Sequence, residues 1–297
     1  MLSQPDKDVH ASEDFLTLVV TTHFLVACMK KLNMKSLDDI PTTNELNANT
    51  WMKSDEDRRT ALYSFCQQIS DDHVNFSMCG DISCSSDGVL YHANEVMSLG
   101  IFYLNYKDAI REGDGDRVLV CWKFLLPIFK LSDHRNYSLE VLRMLYSYYY
   151  ILSPRQKQQL LWSRFVNVHG LPGHNIPCDL HMEHLNRVCK QAIQGIGAKK
   201  RKESVVRIGK ALAEVTANFD KNVLKPANDH VAGHHKYATA TKDQSMVINE
   251  LLNHACVFTK SPKRSHQHFK TFTTKGSIFA KVNKKYLEKW IQDNIPK

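Results

Sequence analysis

The chain of 297 residues lacks the short motifs that identify the common nucleotide-binding and hydrolytic enzymes. No glycine-rich loop follows a predicted strand, so a dinucleotide-binding crossover is not supported, and no P-loop is present. No nucleophile elbow with its serine, histidine and aspartate can be recognised. The chain also has no internal repeat with a period of about 30–45 residues, the period typical of solenoids and propellers. No reaction class therefore follows directly from a motif.

The chain also lacks a long apolar run. Its start, Met1–Asp14, is polar and acidic, unlike the start of a secretory signal peptide. The most apolar run, Phe15–Met29, contains three threonines and a histidine and is too short to cross a bilayer of about 30 Å. We therefore predict a buried helix here, no membrane partner and an intracellular protein. Without a secretory signal, the eight cysteines are expected to be reduced thiols.

The charge of the chain is unevenly distributed. Residues 196–297 contain 20 Lys and Arg against 8 Asp and Glu, a net charge of +12, whereas residues 1–195 contain 19 against 23, a net charge of −4. A hydrophobic content of 43% is enough for a core, so global disorder is not expected. A basic third on a near-neutral body indicates an acidic partner such as DNA or RNA, although a solvated basic tail would have the same composition.

Helical periodicity dominates the sequence, because apolar residues recur three and four positions apart along most of it. Leu139, Leu142, Leu145 and Tyr149 predict a buried helix face, and Ser153-Pro154 ends that helix and begins the next. A second stripe runs from Val118 to Phe129, with a kink or an end expected near Pro127, and a third runs from Leu185 to Ile196. Further helices are predicted over Glu13–Leu32, Asp55–Asp71, Gly88–Glu112, Arg201–Asn222, Asp243–Phe258 and Asn283–Asp293.

Signals for strands are weak and are confined to Lys270–Thr274 and Ser277–Val282. The predicted fold is therefore mainly α, a multi-helix globular domain with at most one minor β-hairpin. We expect a flexible N-terminus over residues 1–12 and a helical domain over residues 13–224. Residues 225–297 are expected to form a basic, partly ordered region with one or two helices.

Three acidic residues are candidates for a metal site. Asp114 and Asp116 are separated by one residue, a spacing found in loops that bind hard cations, but Asp116 could equally be the N-cap of the following helix. Glu183 could be a metal-binding carboxylate at the head of a helix, or it could form a surface pair with Arg187 four residues later. If these acids converge, they would hold Mg²⁺; otherwise we expect no cofactor.

The helix that contains Glu183 has further polar residues at its start. Asn175 or Asp179 could provide its N-cap. Cys178, His181 and His184 follow one another every three residues, but three potential ligands on one helix without a fourth are a weak signal for zinc. The Pro-Cys-x-x-Cys that a zinc deaminase requires is absent downstream, and so is the His-Glu-x-x-His of zinc proteases.

The basic third contains three clusters that could contact phosphates. Four basic residues in a row at a helix start oppose the helix dipole, so local stability does not explain them, and they could also serve as a nuclear-import signal. The second cluster is interleaved with phenylalanines that could stack on bases, and the third lines one face of a predicted helix. The candidate nucleic-acid-binding residues are Lys199, Lys200, Arg201, Lys202, Lys263, Arg264, Lys281, Lys285 and Lys289.

Two long segments carry a resemblance to a known family. They are GDGDRVLVCWKFLLPIF, from Gly113, and LLWSRFVNVHGLPGHNIPCDLHMEHLNR, from Leu160. Together with VVRIGKAL, they resemble an uncharacterised, multi-copy animal family, a domain of unknown function. The resemblance covers roughly Glu13–Phe219 and is strongest over Arg111–Leu212.

The resemblance implies an origin in a mobile element, because the family is multi-copy and scattered. Longer members look as though they carry acidic, strand-like segments upstream, so that this chain would correspond to their C-terminal portion. If those segments supply two aspartates, Glu183 would be the last acid of a ribonuclease-H-like transposase. This chain alone would then lack two of the three acids and would be inactive.

Three hypotheses follow from these observations. The first is a non-catalytic, mobile-element-derived helical protein that binds nucleic acid through its basic C-terminal third. The second is a metal-dependent transposase or nuclease remnant built on Asp114, Asp116 and Glu183. The third is a helical scaffold that binds other proteins.

Overall fold

The structure, a computed structural model, describes residues 9–41, 54–74, 87–168, 170–194, 203, 206–207, 211, 214, 241–252, 256–261, 264 and 283–295. Nearly all regular structure in these residues is helical. The α-helices are α1 (Val9–Lys31), α2 (Asp55–His73), α3 (Gly88–Glu112), α4 (Gly115–Leu131), α5 (Arg135–Tyr146), α6 (Pro154–Trp162), α7 (Cys178–Gln194), α8 (Thr241–Leu252) and α9 (Lys284–Asn294). A π-helical turn, Ser147–Ile151, follows α5 directly.

The mainly α prediction is confirmed, with one short antiparallel hairpin in the described part of the chain. Strand β1 (Phe165–Val166) pairs with β2 (Ile176–Pro177). This hairpin lies inside the segment that carries the family resemblance, where no strand was expected. The two runs with strand signals, 270–274 and 277–282, lie outside the described residues.

The chain divides into two compact units. Unit 1 comprises Met1–Asp108, Asp116–Ser153 and Ala240–Lys297, and unit 2 comprises Ala109–Gly115 and Pro154–Thr239. The residues from Ala240 onward thus belong to the same unit as α1. Helix α1 begins at Val9.

The main core of unit 1 lies where α1 packs against α8, with α2 and α3 contributing to the same cluster. Its fully buried side chains include Val26 of α1, Ile69 of α2 and Met97 of α3. Ile248 of α8 and Phe258, which follows α8, complete it from the C-terminal part of the chain. Because these two residues are buried in the core, we expect that removal of the C-terminal part of the chain would destabilise unit 1.

Helix α1 is longer than the apolar run that predicted it. Over Ala11–Lys31 it is long and apolar enough, by length and composition, to cross a membrane, and 33% of that stretch is buried in the structure. Its buried Thr22 donates to the carbonyl of Leu18 at 2.6 Å, and Nδ1 of His23 lies 2.8 Å from the carbonyl of Val19. The hydroxyl of Thr22 and the ring of His23 thus find their partners in the backbone of α1 itself.

A second cluster in unit 1 joins α4, α5 and α9. Leu126 of α4 packs with Val141 and Leu142 of α5, and Trp290 of α9 packs against this cluster. Helix α4 continues past the buried Pro127 to Leu131, so of the two outcomes expected near that proline, a kink or an end, the helix end is not observed.

The tyrosine-rich stretch after α5 is more exposed than its sequence pattern predicts. In a continuous α-helix, Tyr149 would follow Leu142 and Leu145 on the buried face. The π-helical turn inserts extra backbone per turn, which rotates the following side chains around the axis. Tyr149 is 44% exposed as a result, and the prediction that it is buried is wrong.

In unit 2, Pro154 begins α6 as predicted, since its missing N–H costs nothing at the first helical position. Helix α7 departs from its prediction, because Leu185, the first residue of the expected buried stripe, is 44% exposed. The remaining side chains of that stripe lie outside the described residues.

Candidate functional site

Most of the basic candidates fall outside the part of the chain that the structure describes. These residues are Lys199, Lys200, Arg201, Lys202, Lys263 and Lys281. Three candidates lie within it, namely Arg264 and the α9 residues Lys285 and Lys289.

The side chain of Arg264 is mostly buried within unit 1, where it is bonded to several groups. Its guanidinium forms a two-point ion pair with Asp87, with Nε to Oδ1 at 3.1 Å and Nη2 to Oδ2 at 2.8 Å. It also donates to the backbone carbonyls of Cys256, Val257 and Thr259 at 2.7–3.2 Å. A guanidinium with this many partners ties the segment after α8 to the start of α3, and we assign Arg264 a structural role in place of the predicted phosphate contact.

Asp87 is the partner that makes this arrangement possible. It is 1% exposed, and its Oδ1 accepts from the backbone N–H groups of Val89 and Leu90, so that it caps the first turn of α3. Burial alone would raise the pKa of Asp87, but hydrogen bonds from Arg264, Ser261 and Leu90 outweigh burial and lower it. The carboxylate is therefore held ionised inside the fold. Sequence reasoning missed this residue, because its partner is distant along the chain.

The two candidate lysines of α9, Lys285 and Lys289, are exposed to solvent. Trp290 and Ile291 pack against the α4–α5 cluster, whereas Lys285 and Lys289 are exposed. Asn283 caps the helix by accepting from the N–H of Tyr286 at 3.2 Å. The predicted spacing of Lys285 and Lys289 on one helix face is confirmed, and both ammonium groups are accessible to a phosphate.

The acidic candidates do not form a metal site in the described residues. No group of three His, Cys, Asp or Glu side chains able to hold a metal comes together among them, so Asp114, Asp116 and Glu183 do not form the cluster that the second hypothesis requires. Helix α4 begins at Gly115, which places Asp116 in its first turn and corrects the expected N-cap. Glu183 is exposed on α7.

The segments that carry the family resemblance meet at one junction in unit 2. Helix α3 ends in a Schellman motif, with the N–H of Gly113 bonded to the carbonyl of Ile110 and the N–H of Asp114 bonded to that of Ala109. Asn175 donates from its side chain to the carbonyl of Arg111 at 2.8 Å. Asn175 thus caps the end of α3 and not the start of α7, which corrects one of the two N-cap predictions for α7.

Glycines are required at this junction because the backbones approach closely. Gly113 has φ +72°, and a Cβ there would lie 3.1 Å from Nδ2 of Asn175. A Cβ on Gly115 would lie 2.7 Å from Cβ of Leu161. The two glycines of the GDG sequence are therefore explained by turn geometry and packing, and the junction positions α6 and α7.

An open cavity of about 290 Å³ lies at the C-terminal ends of α1 and α2 in unit 1. Its polar side chains are used within the fold. Lys30 donates to the carbonyl of Phe258, Lys31 pairs with Asp72 at 3.0 Å, and Nδ1 of His73 lies 3.0 Å from Oδ1 of Asn94. Burial is the main reason that the pKa of His73 is lowered. Among the described residues that line the cavity, each charged side chain therefore already has a partner within the fold.

Sequence reasoning also missed a pair of lysine–tyrosine contacts on unit 1. Nζ of Lys123 lies 5.1 Å from the ring centroid of Tyr149, and Nζ of Lys130 lies 5.7 Å from that of Tyr286. Tyr149 is 44% exposed and Tyr286 is 59% exposed. The density of tyrosines after Leu145 was the available signal, but a continuous helix was assumed there.

Comparison with known proteins gives one match. The model of a family described as a family of unknown function, DUF6589, matches residues 2–237. This span is well over half of the chain, so the chain belongs to that family, and the expected membership in a family of unknown function is confirmed. The matched residues include the whole described junction and end before α8. No curated protein and no solved structure matches the chain.

Proposed function

We propose that this DUF6589 member is a non-catalytic, mobile-element-derived helical protein that binds nucleic acid through its basic C-terminal third. The observation that carries the proposal is the net charge of +12 on residues 196–297, against −4 on the rest of the chain. A charge difference of this size favours contact with a polyanion. The use of Lys199–Lys202 as a nuclear-import signal belongs to the same proposal.

The described part of the basic third is consistent with this proposal at α9. Arg264 neutralises a buried acid and so is not available, but Lys285 and Lys289 extend outward from a helix that is anchored by Trp290. An anchored helix holds its lysines at fixed spacing, which lowers the entropic cost of binding a phosphate backbone.

The test is the binding of a labelled duplex to the whole chain, followed by fluorescence anisotropy across a salt series. Removal of residues 196–297 is not a usable comparison, because it would also remove Ile248 and Phe258 from the core of unit 1. Point variants avoid that problem. We expect Lys285→Gln with Lys289→Gln to weaken binding and to reduce the salt slope by up to about 2, at about 0.9 per phosphate contact.

A second variant replaces all four residues of Lys199–Lys202 with glutamine and should reduce the slope further. The matched control is Lys31→Gln, which removes a lysine already paired with Asp72. Absence of binding by the whole chain at low salt would contradict the proposal, as would equal losses in the control and the α9 variant.

A protein-binding scaffold is the second candidate function. The observation in its favour is the exposure of large apolar side chains in unit 2, among them Trp162, Met182 and Leu185. Where exposed apolar side chains form a contiguous surface, that surface marks a protein interaction site in many soluble proteins. If the whole chain binds DNA and RNA no more strongly than a peptide of equal charge, this account would be favoured over nucleic-acid binding.

A further inference from the structure

We infer that unit 1 carries a stacking platform for single-stranded nucleic acid, formed by Tyr149 and Tyr286 with the lysines that cover them. The inference rests on the proposed function and specifies its substrate class. It depends on a surface that charge composition did not reveal, because its rings come from the π-helical turn and from α9, and its lysines come from α4.

The two lysines are arranged along one helix face. Lys123 and Lys130 are seven residues apart in α4, which places them on the same side of the helix and about 10.5 Å apart along its axis. Two positive charges at this separation can contact different phosphates of the same strand. The spacing suits a short strand that runs along α4 with phosphates near the two lysines.

Each lysine lies over an exposed aromatic ring. Tyr149, beneath Lys123, is 44% exposed, and Tyr286, beneath Lys130, is 59% exposed. Lys130 also lies 5.0 Å from the ring centroid of Trp290, which packs into the second core cluster. A lysine over a ring keeps its full charge, so it remains able to contact a phosphate while the ring offers a surface to a base.

The π-helical turn is what directs Tyr149 outward. It also exposes Tyr150, whose ring lies 5.3 Å from that of Tyr146 with an interplanar angle of 34°. Turns of this type are uncommon and occur frequently at functional sites. A continuous α-helix would bury Tyr149, so the irregular turn creates an aromatic surface at the expense of core packing.

The charge around the platform favours an anionic partner. Residues 116–153 and 283–295 contain 8 Lys and Arg against 5 Asp and Glu. Two of these acidic residues form ion pairs with basic residues of their own helices. Glu140 pairs with Arg143 at 2.7 Å, and Glu288 pairs with Lys284 at 3.9 Å. Exposed rings beside basic groups are the combination that binds unpaired bases and their phosphates, whereas the bases of a duplex are stacked on one another and are not available to the rings.

The experiment measures binding of the whole chain to labelled oligothymidine of about 16 nucleotides and to a duplex of the same length. We expect tighter binding to the single strand. Tyr149→Ala and Tyr286→Ala should each weaken single-strand binding by about five- to 150-fold, the range that loss of one stacked base gives. Tyr149→Phe and Tyr286→Phe should retain binding, since each keeps the ring.

Tyr63→Ala is the matched control, because Tyr63 is 73% exposed on α2 of the same unit and carries no lysine contact of this kind among the described residues. It should leave binding unchanged. Thermal unfolding followed by circular dichroism checks that each variant folds. If a tyrosine-to-alanine variant fails to fold, Lys123→Gln with Lys130→Gln provides the second test and should reduce the single-strand salt slope by about 1.4.

The outcomes separate this inference from the proposed function. Equal affinity for single strand and duplex, with no loss in the tyrosine variants but a loss when Lys199–Lys202 are replaced, would overturn the platform and leave the proposed function standing. No binding to either oligonucleotide at low salt would overturn both. A change of oligomeric state in Tyr149→Ala or Tyr286→Ala, without loss of nucleic-acid binding, would assign the surface to protein contact and overturn the platform.

Discussion

Replacement of Asp87 by alanine should destabilise the protein by about 3–5 kcal/mol, the range found when one partner of a buried ion pair is removed. The structure supports a value in this range for three reasons. Asp87 is 1% exposed, the guanidinium of Arg264 would lose the carboxylate with which it forms a two-point ion pair, and α3 would lose its cap. The N–H of Ser261, which donates to Oδ2 of Asp87 at 2.8 Å, would also lose its acceptor.

The assay is urea-induced unfolding followed by circular dichroism at neutral pH. Glu140→Gln is the matched control, since Glu140 also pairs with an arginine but is solvent-exposed, and its loss should change the free energy of unfolding by about 0–1 kcal/mol. Because the pKa of Asp87 is lowered in the fold, its contribution to stability is present above the pKa of the unfolded chain and is lost as the pH falls through the folded value. A change for Asp87→Ala no larger than that for Glu140→Gln would refute the structural role assigned to Arg264.

Three further predictions concern the junction and the core. Gly113→Ala should destabilise unit 2 by about 1–2 kcal/mol because alanine is strained at φ +72°. Backbone amides near Asn175 should then exchange their hydrogens faster, and exchange as slow as in the parent protein would contradict this. Phe258→Ala should cost about 3–5 kcal/mol in urea unfolding as a fully buried ring is lost, and a cost below about 1 kcal/mol would place Phe258 outside the core. Burial lowers the pKa of both His23 and His73. Their contribution to the free energy of unfolding is therefore present above the unfolded pKa near 6.5 and is lost as the pH falls through the folded pKa values. A free energy of unfolding that does not decrease from pH 7.5 to about 5 would contradict this.

Local sequence signals predicted most helix positions. Helix α3 spans the predicted Gly88–Glu112, and α2 begins at the predicted Asp55, where three acids in the first turn favour the helix dipole. These signals lie within a few residues of the helix ends, so no tertiary information is needed to interpret them.

The parts of the site that the sequence did not predict depend on distant contacts. Composition places Arg264 among the phosphate-binding residues, but its partner Asp87 lies far away in sequence and only the fold brings the two together. Periodicity assigns Tyr149 to the core, but the π-helical turn rotates it outward. The role of Asn175 was also misassigned, because a loop residue can cap a helix that ends more than 60 residues earlier.

The most direct test of nucleic-acid binding compares the whole chain with an unstructured peptide of the same net charge, both titrated into labelled single strand at near-physiological salt. We predict that the folded chain binds more tightly than the peptide and that its affinity decreases steeply as salt is raised. Equal affinity of the chain and the peptide would show that the fold adds nothing to charge, and it would contradict nucleic-acid binding as the function of this protein.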